Sequence, residues 1–478
     1  MKWETVIGLE IHAELDTKTK IFCDCPTTFG AAPNQHTCPV CMGLPGTLPV
    51  LNQAVVDMAI KAGLALGCEV QTVSKMDRKN YFYPDLPKAY QISQYDLPIC
   101  TGGTVDIEVN GEKKTIRIHR IHIEEDAGKL LHDEYEPLSY IDYNRVGVPL
   151  IEIVSEADMR SPEEAVAYLR AVRAVLQYAG VSDCRMEQGS LRCDGNISLR
   201  PYGQEALNEK VELKNINSFK ELQKALEKEE KRQMELYSFG EGHKVVQETR
   251  RWDAAKGRTI SMRTKEDAHD YRYFPEPDLK PILIAEAAIE AARSTLPELP
   301  AAKALRFSEA YGLTPKEIAI LTGEKALSRF FEETVAAGAS AKAAANWILG
   351  DLLRCLKETD TEAEDQPLQA DHLAKLIELV EAGTISGTVG KEVFQEMYDT
   401  GKDPEAIVEE KGLKQISGTD ELSAIISQVL AANPASVEDY HSGKKQALGF
   451  LMGQVMKATG GQANPKLAKE MLEKALQA

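Results

Sequence analysis

The chain has 478 residues, 43 % hydrophobic and 27 % charged, enough apolar side chains for substantial cores and a composition that excludes a disordered polymer. A formal net charge of −18 excludes wholesale wrapping of nucleic acid, while leaving room for a local basic patch. No apolar run approaches the ~20 residues that span a bilayer, and the opening Met1-Lys2-Trp3-Glu4 lacks the layout of a signal peptide, so the expectation is a cytoplasmic protein with no membrane contact.

At about 100–200 residues per domain, the length predicts about three domains. The first strand is predicted from Thr5 to Leu15. Period two sets Ile7, Leu9, Ile11, Ala13 and Leu15 on one face and Glu10, His12 and Glu14 on the other. Four of the nine cysteines follow as Cys23-x-Cys25, twelve residues, then Cys38-x-x-Cys41. Two close pairs across a short loop can set four thiolates around Zn²⁺, and a closed four-sulfur site is structural because no position stays open for water. Four reduced cysteines without metal are the alternative.

The segment DRKNYFYPDLPKAYQISQ (77–94) alternates aromatic residues with Arg78, Lys79 and Lys88. It reads either as a surface for unpaired bases and phosphates or as a proline-fixed loop. Thr104–Val109 and Thr115–Ile123 predict a hairpin across Asn110-Gly111, the pair a type I′ turn favours. That strand ends at Glu124 and Glu125, in HIEEDAGK (122–129), and the next, Leu150–Val154, carries Glu152. Carboxylates converging with one imidazole suit Mg²⁺ or Mn²⁺ better than zinc. Strand-end glutamates facing water are the other reading.

Ser161-Pro162-x-Glu164 and Ser218-x-x-Glu221 predict helix starts with capping boxes, the second followed by a Glu227–Lys231 pair. Between these helices, GSLRCDGNISLRP (189–201) alternates Leu191, Cys193, Ile197 and Leu199 with Arg192, Asp194, Asn196 and other polar residues, and VELKNINS (211–218) adds Glu212 and Lys214. Such polar faces either floor a nucleotide or substrate cleft or are the solvated side of an antiparallel sheet. There is no G-x-x-x-x-G-K-[ST], no G-x-G-x-x-G and no G-x-S-x-G, so an ATP site must be of another type. No serine or cysteine has the surroundings of an ammonia-releasing nucleophile. YFYPDLPK (81–88) and YRYFPEPDLK (271–280) echo each other without making a repeat.

Pro297 and Pro300 in STLPELPAA (294–302) mark a boundary, beyond which strand signals thin out. Thr314-Pro315-Lys316-Glu317 is a third capping box, 324–357 reads as paired helices, 358–368 as an acidic loop, and a second boundary falls near Gly401–Pro404. In the tail, Leu448, Leu451, Met452, Val455 and Met456 form a helix-period stripe. Gly449 and Gly453, one turn apart, would admit a close backbone. From His441 onward six lysines, Lys444, Lys445 and Lys457 among them, face two acids.

ETVIGLEIHAEL (4–15), the 77–94 segment, EEDAGK (124–129), YNRVGVPLIEIVSE (143–156), GSLRCDGNISLRP, ELKNINSF (212–219), DYRYFPEPDL (270–279) and FLMGQVMKATGGQANP (450–465) together resemble the B subunit of the tRNA-dependent aspartyl/glutamyl amidotransferase, over essentially the whole chain. The resemblance implies an α+β protein in three parts. A cradle domain at 1–293 is built on an antiparallel sheet resembling the glutamine synthetase catalytic fold, with a zinc-binding insert at 23–41. A helical domain follows at 294–403, then a helical tRNA-binding tail at 404–478. It implies a ligase working in a heterotrimer, with an amidase A subunit that releases ammonia and a small C subunit. ATP phosphorylates the side-chain carboxylate of Glu-tRNA(Gln) or Asp-tRNA(Asn), and ammonia displaces the phosphate.

Carried over by motif, His12, Glu125 and Glu152 are expected to ligate Mg²⁺. Glu10 is expected to support them. Arg192, Asp194, Asn196, Glu212 and Lys214 are expected near ATP or a second metal, with Glu10, Lys79, Asp194 and Lys214 as the catalytic candidates. Lys79, Tyr81, Lys88 and Tyr90 are expected along the ammonia path, and Lys444, Lys445 and Lys457 on tRNA. A noncatalytic tRNA-binding scaffold and a ligase amidating a free amino acid are the competing readings.

Overall fold

Alternation along Trp3–Glu14 sets the architecture. Ile7, Leu9, Ile11 and Ala13 are buried, while Glu10, His12 and Glu14 lie half-buried on the opposite face. The computed structural model describes residues 2–133, 136–264, 270–414, 419–444, 446–459 and 463–477. In it this strand is central to a ten-stranded sheet. Leu191–Pro201 and Pro149–Ser155 flank it, both antiparallel. Beyond Leu191–Pro201 lie Val211–Lys214, Glu248–Asp253 and Arg258–Thr264. Beyond Pro149–Ser155 lie Glu112–Glu125, Cys100–Thr101 and Glu69–Val70, with Thr104–Val109 hairpinned onto Glu112–Glu125. At the hairpin turn Asn110 and Gly111 both have positive φ, 55° and 84°, as a type I′ turn demands.

The sheet is antiparallel except where Val211–Lys214 meets Glu248–Asp253 in parallel. The helix Phe219–Ser238 lies between those strands in sequence and supplies the crossover a parallel pair needs. The apolar face of the sheet packs on this helix through Leu222, Ala225 and Leu226. Tyr168, Leu169, Val172 and Leu176 of the helix Pro162–Ala179 complete the layer. Each such buried leucine or valine contributes roughly 1.5–3 kcal/mol. With that face filled, the polar face is the one left for chemistry.

Local details differ from the sequence expectations. Ser161 caps its helix, but Glu164 accepts from the Arg160 amide, one residue before the cap, and from Lys114. Glu221 likewise accepts from the Asn217 amide rather than the Ser218 cap. Glu227 accepts from Gln223, and Lys231 pairs with Glu235 instead. Only Thr314 with Glu317 forms a reciprocal box among the three.

The first unit runs to Ala302, past the 293 expected, and Leu296, beyond that point, packs on its core. In the second, 303–478, every named element among the described residues is a helix. One of its cores runs from Phe307 to Val408 and another from Leu422 to Leu476. Ile407 and Val408 of the helix Pro404–Glu410, just past the boundary expected near 401–404, are buried in the earlier core. In the tail helix Gln446–Ala458, Leu451 and Val455 are buried, whereas no other part of the described chain lies within 4 Å of a Cβ added at Gly449 or Gly453.

Candidate active site

Register brings the polar residues into rows across the strands. His12 stands opposite Arg192 on one side and Glu152 on the other, and Glu152 stands opposite His122. Glu10 stands opposite Asp194, and Asn196 opposite Glu212. All are on the face opposite the helices Pro162–Ala179 and Phe219–Ser238, because all share the parity of His12 in the ladder.

Two groups of possible metal ligands result. In the first, His12, Glu124 and Glu152 each offer an atom within 4.8 Å of the others. His12 Nε2 is 3.5 Å from Glu124 Oε1 and 3.4 Å from Glu152 Oε2. Burial works against a charge on His12, and the bond and charge of Glu152 outweigh it, so its pKa is raised. Glu125 does not join this group, contrary to expectation. Its carboxylate accepts from Lys88 Nζ at 2.5 and 2.7 Å and from the Ile92 amide at 2.8 Å. Strand alternation is the cause: 122 and 124 face His12, while 125 points the other way.

His122, which the sequence reading passed over, is buried beside this group. Its Nε2 lies 3.1 Å from Glu152 Oε2 and 3.8 Å from Glu124 Oε2. Despite burial, the charge of Glu152 carries its pKa up to about 9. Its parity with Glu124 was the available signal.

The second group is Glu10, Asp194 and Glu212, again within 4.8 Å. Asn196 Nδ2 donates to Glu10 Oε1 at 3.0 Å, and Lys214 Nζ lies 2.6 Å from Asp194 and 3.1 Å from Glu212. Burial raises the pKa of Glu10, and the charges of Glu152, in the first group, and of Glu212 and Asp194, in its own, add to it. Arg192 extends the same face and donates to the buried Asp126 at 2.8 Å. One imidazole with carboxylates, or three carboxylates alone, are donor sets that fit a hard divalent cation.

Around the first group, Lys79 stands over the rings of Tyr81 and Tyr271 at 5.7 and 5.1 Å. Burial opposes its charge, but the carboxylate of Glu124 raises its pKa. The echoing segments meet here, since Phe274-Pro275 pairs with Asp77-Arg78 and Tyr81 packs edge-on against Tyr271. Lys88 and Tyr90 lie on the Glu125 side, lining a cavity of about 110 Å³ with Lys20, Cys23 and Cys41.

The four cysteines of 23–41 also converge, with sulfur atoms within 4.8 Å of one another and no disulfide. That fits four thiolates about 2.3 Å from one zinc. A hydrogen bond from Cys23, with help from Lys20, draws Cys41 down to about 5, while Cys23 is driven up. Lys20, unremarked in the sequence, is fully buried here. Its Nζ donates to His36 O at 2.6 Å and Tyr143 O at 3.3 Å, and lies 3.8 Å from Cys41 Sγ. A buried cation beside four thiolates offsets part of their charge.

In the tail, Lys457 is exposed, Lys444 is exposed but paired with Asp439 at 2.7 Å, and Lys445 lies outside the described residues. No helix among the described residues is long and apolar enough to cross a membrane.

Comparison with known proteins agrees along the whole chain. The model of the GatB/GatE catalytic domain matches residues 5–290, and that of the GatB domain matches 329–476. The B subunit of the aspartyl/glutamyl-tRNA(Asn/Gln) amidotransferase of Clostridium beijerinckii is 62 % identical over 100 % of this chain and 99 % of its own. The proteins of that name from Thermoanaerobacter pseudethanolicus and Carboxydothermus hydrogenoformans are 58 % and 56 % identical, covering 100 % and 98 % of both chains. The chain belongs to the family of aspartyl/glutamyl-tRNA(Asn/Gln) amidotransferase B subunits.

Proposed function

We propose that this chain activates the side-chain carboxylate of glutamate or aspartate carried on tRNA(Gln) or tRNA(Asn) with ATP and joins it to ammonia. It works with an amidase subunit and a small third subunit in the cytoplasm. The observation that carries the reading is the polar sheet face with its two adjoining ligand groups, His12/Glu124/Glu152 and Glu10/Asp194/Glu212. Free carboxylates are poor electrophiles, and phosphorylation gives the carbonyl a good leaving group. A carboxylate oxygen attacks the γ-phosphorus, the bond to the β-phosphate breaks, and ADP leaves with the electron pair. Ammonia then attacks the acyl carbon, inorganic phosphate leaves with the carbon–oxygen pair, and the nitrogen sheds a proton.

Mg²⁺, when bound, neutralises phosphate oxygens and holds the γ-phosphate in line. His12, Glu124 and Glu152 would hold it, with Glu10 bridging toward Asp194 and Glu212. Asn196 orients Glu10, and Lys214 orients Asp194. Arg192 and Lys214 face the nucleotide. Lys79, among Tyr81 and Tyr271, supplies positive charge beside Glu124. Ammonia arrives along the Lys88 and Tyr90 side, where the pairing of Lys88 with Glu125 keeps a polar wall in place. Cys23, Cys25, Cys38 and Cys41 would hold a zinc ion that braces that wall, the sheet belongs to the glutamine synthetase type of cradle, and the tail with Lys444, Lys445 and Lys457 holds the body of the tRNA.

The test is ADP formation by the assembled complex with Glu-tRNA(Gln), Asp-tRNA(Asn) or free glutamate. The reading expects ADP only with a charged tRNA. Turnover with free glutamate alone would favour an amino-acid ligase, and none with any substrate would favour a noncatalytic scaffold.

A further inference from the structure

At one end of the polar face, a single buried carboxylate holds two arginines. Asp126 is 3 % exposed; its Oδ1 accepts from Arg192 Nη2 at 2.8 Å and its Oδ2 from Arg145 Nη2 at 2.6 Å. The same Arg145 nitrogen also meets Glu14 Oε1 at 3.1 Å and Gly189 O at 3.4 Å. These contacts engage only one nitrogen of each guanidinium. Among the described residues Arg145 Nε is buried without a hydrogen-bond partner, and buried donors are rarely left so unless a ligand or water completes them. The space beside the other terminal nitrogen is kept open by Gly189. There φ is +78°, and an added Cβ would lie 3.3 Å from Arg145 Nη1. Arg192 stands directly opposite His12 across the strands, so the fork borders the His12/Glu124/Glu152 group.

We infer that Arg145 and Arg192, held as a fork by Asp126, bind the phosphoryl group that passes from ATP to the substrate carboxylate. This rests on the function proposed above and adds Arg145 and Asp126 to it. A phosphoryl group in transfer spreads negative charge over its equatorial oxygens, and planar guanidinium forks beside a metal-ligand group match those oxygens in shape and charge. Asp126 is a positioning residue: it touches no substrate but fixes both planes. The remaining N–H groups of the fork supply the donors.

The test uses the complex assembled with its amidase and small subunits, with ATP, ammonia and Glu-tRNA(Gln). Arg145→Ala is expected to lower kcat for ADP formation about 100-fold with the KM for the charged tRNA unchanged, and guanidinium added to the assay is expected to restore part of the rate. Arg145→Lys should recover less than guanidinium does, because an ammonium cannot form the fork. Asp126→Asn, which keeps the shape but halves the hold on two cations, should lower kcat with little change in either KM. Normal kcat in Arg145→Ala would overturn the inference. So would a rise only in the KM for tRNA, which would make the fork a substrate anchor, or a loss that guanidinium does not restore, which would make it a structural brace. If the unaltered complex forms no tRNA-dependent ADP, the underlying function fails instead.

Discussion

Replacing Glu124 and Glu125 by glutamine, one at a time, separates two roles that neighbouring positions conceal. Glu125 is 2 % exposed and bonds twice to Lys88 and once to the Ile92 amide. Glu125→Gln can keep an oxygen for one of these bonds, but it leaves the Lys88 ammonium, 12 % exposed, without its counter-charge. Breaking a buried pair from one side costs about 3–5 kcal/mol, and the residual exposure of Lys88 points to the lower end, about 3 kcal/mol. Lys88→Met should cost about the same, since it strands the carboxylate instead. The double variant should cost about 2 kcal/mol less than the sum, because once the pair is gone neither charge is stranded. Urea unfolding, with the sheet amides followed by hydrogen exchange, measures these costs in the first unit. Mn²⁺ binding measured by electron paramagnetic resonance completes the assay, with Glu124→Gln losing the ion and Glu125→Gln keeping it. Additive stability losses, or loss of Mn²⁺ in Glu125→Gln but not in Glu124→Gln, would refute the reasoning.

Elemental analysis of the reduced protein should find one zinc per chain, and Cys38→Ser should lose it and destabilise the first unit; absence of zinc from unaltered protein would count against the site. Thr314→Ala should cost the second unit about 1 kcal/mol in thermal unfolding, as loss of an N-cap does. Lys342 first, then Thr314, lower the Glu317 carboxyl to about 2, so its contribution is full above the ordinary value of 4.5 and is lost as pH falls through about 2. Glu317→Gln should therefore reduce the difference in stability between pH 6 and pH 2. Truncation after Lys414, beyond the buried Ile407 and Val408, should weaken tRNA binding and flatten its salt dependence, as measured by affinity at several salt concentrations.

The sheet was legible where period two was clean. Ile7 to Ala13 against Glu10, His12 and Glu14 gave the central strand and both of its faces, and Asn110-Gly111 gave the hairpin. What sequence could not carry was the direction of a side chain at a strand end. Glu124 and Glu125 look equivalent until the ladder assigns them opposite faces, and only then does His122 join His12. The capping boxes at Ser161 and Ser218 had the right residues, yet Glu164 and Glu221 found acceptable donors one residue earlier, a choice that backbone angle decides and composition does not. Lys20 was invisible because its role depends on carbonyls brought from residues 36 and 143. The Asp126 fork likewise joins residues 126, 145 and 192, which only the register of the sheet makes neighbours.

The central claim is that the polar face makes an acyl phosphate of a tRNA-borne side chain. It is tested most directly by supplying the assembled complex with Glu-tRNA(Gln) labelled with ¹⁸O in the side-chain carboxylate, together with unlabelled ATP and ammonia. If the carboxylate attacks the γ-phosphorus, inorganic phosphate released with each amide should carry one ¹⁸O from the side chain. Amide formation with unlabelled phosphate would contradict the account.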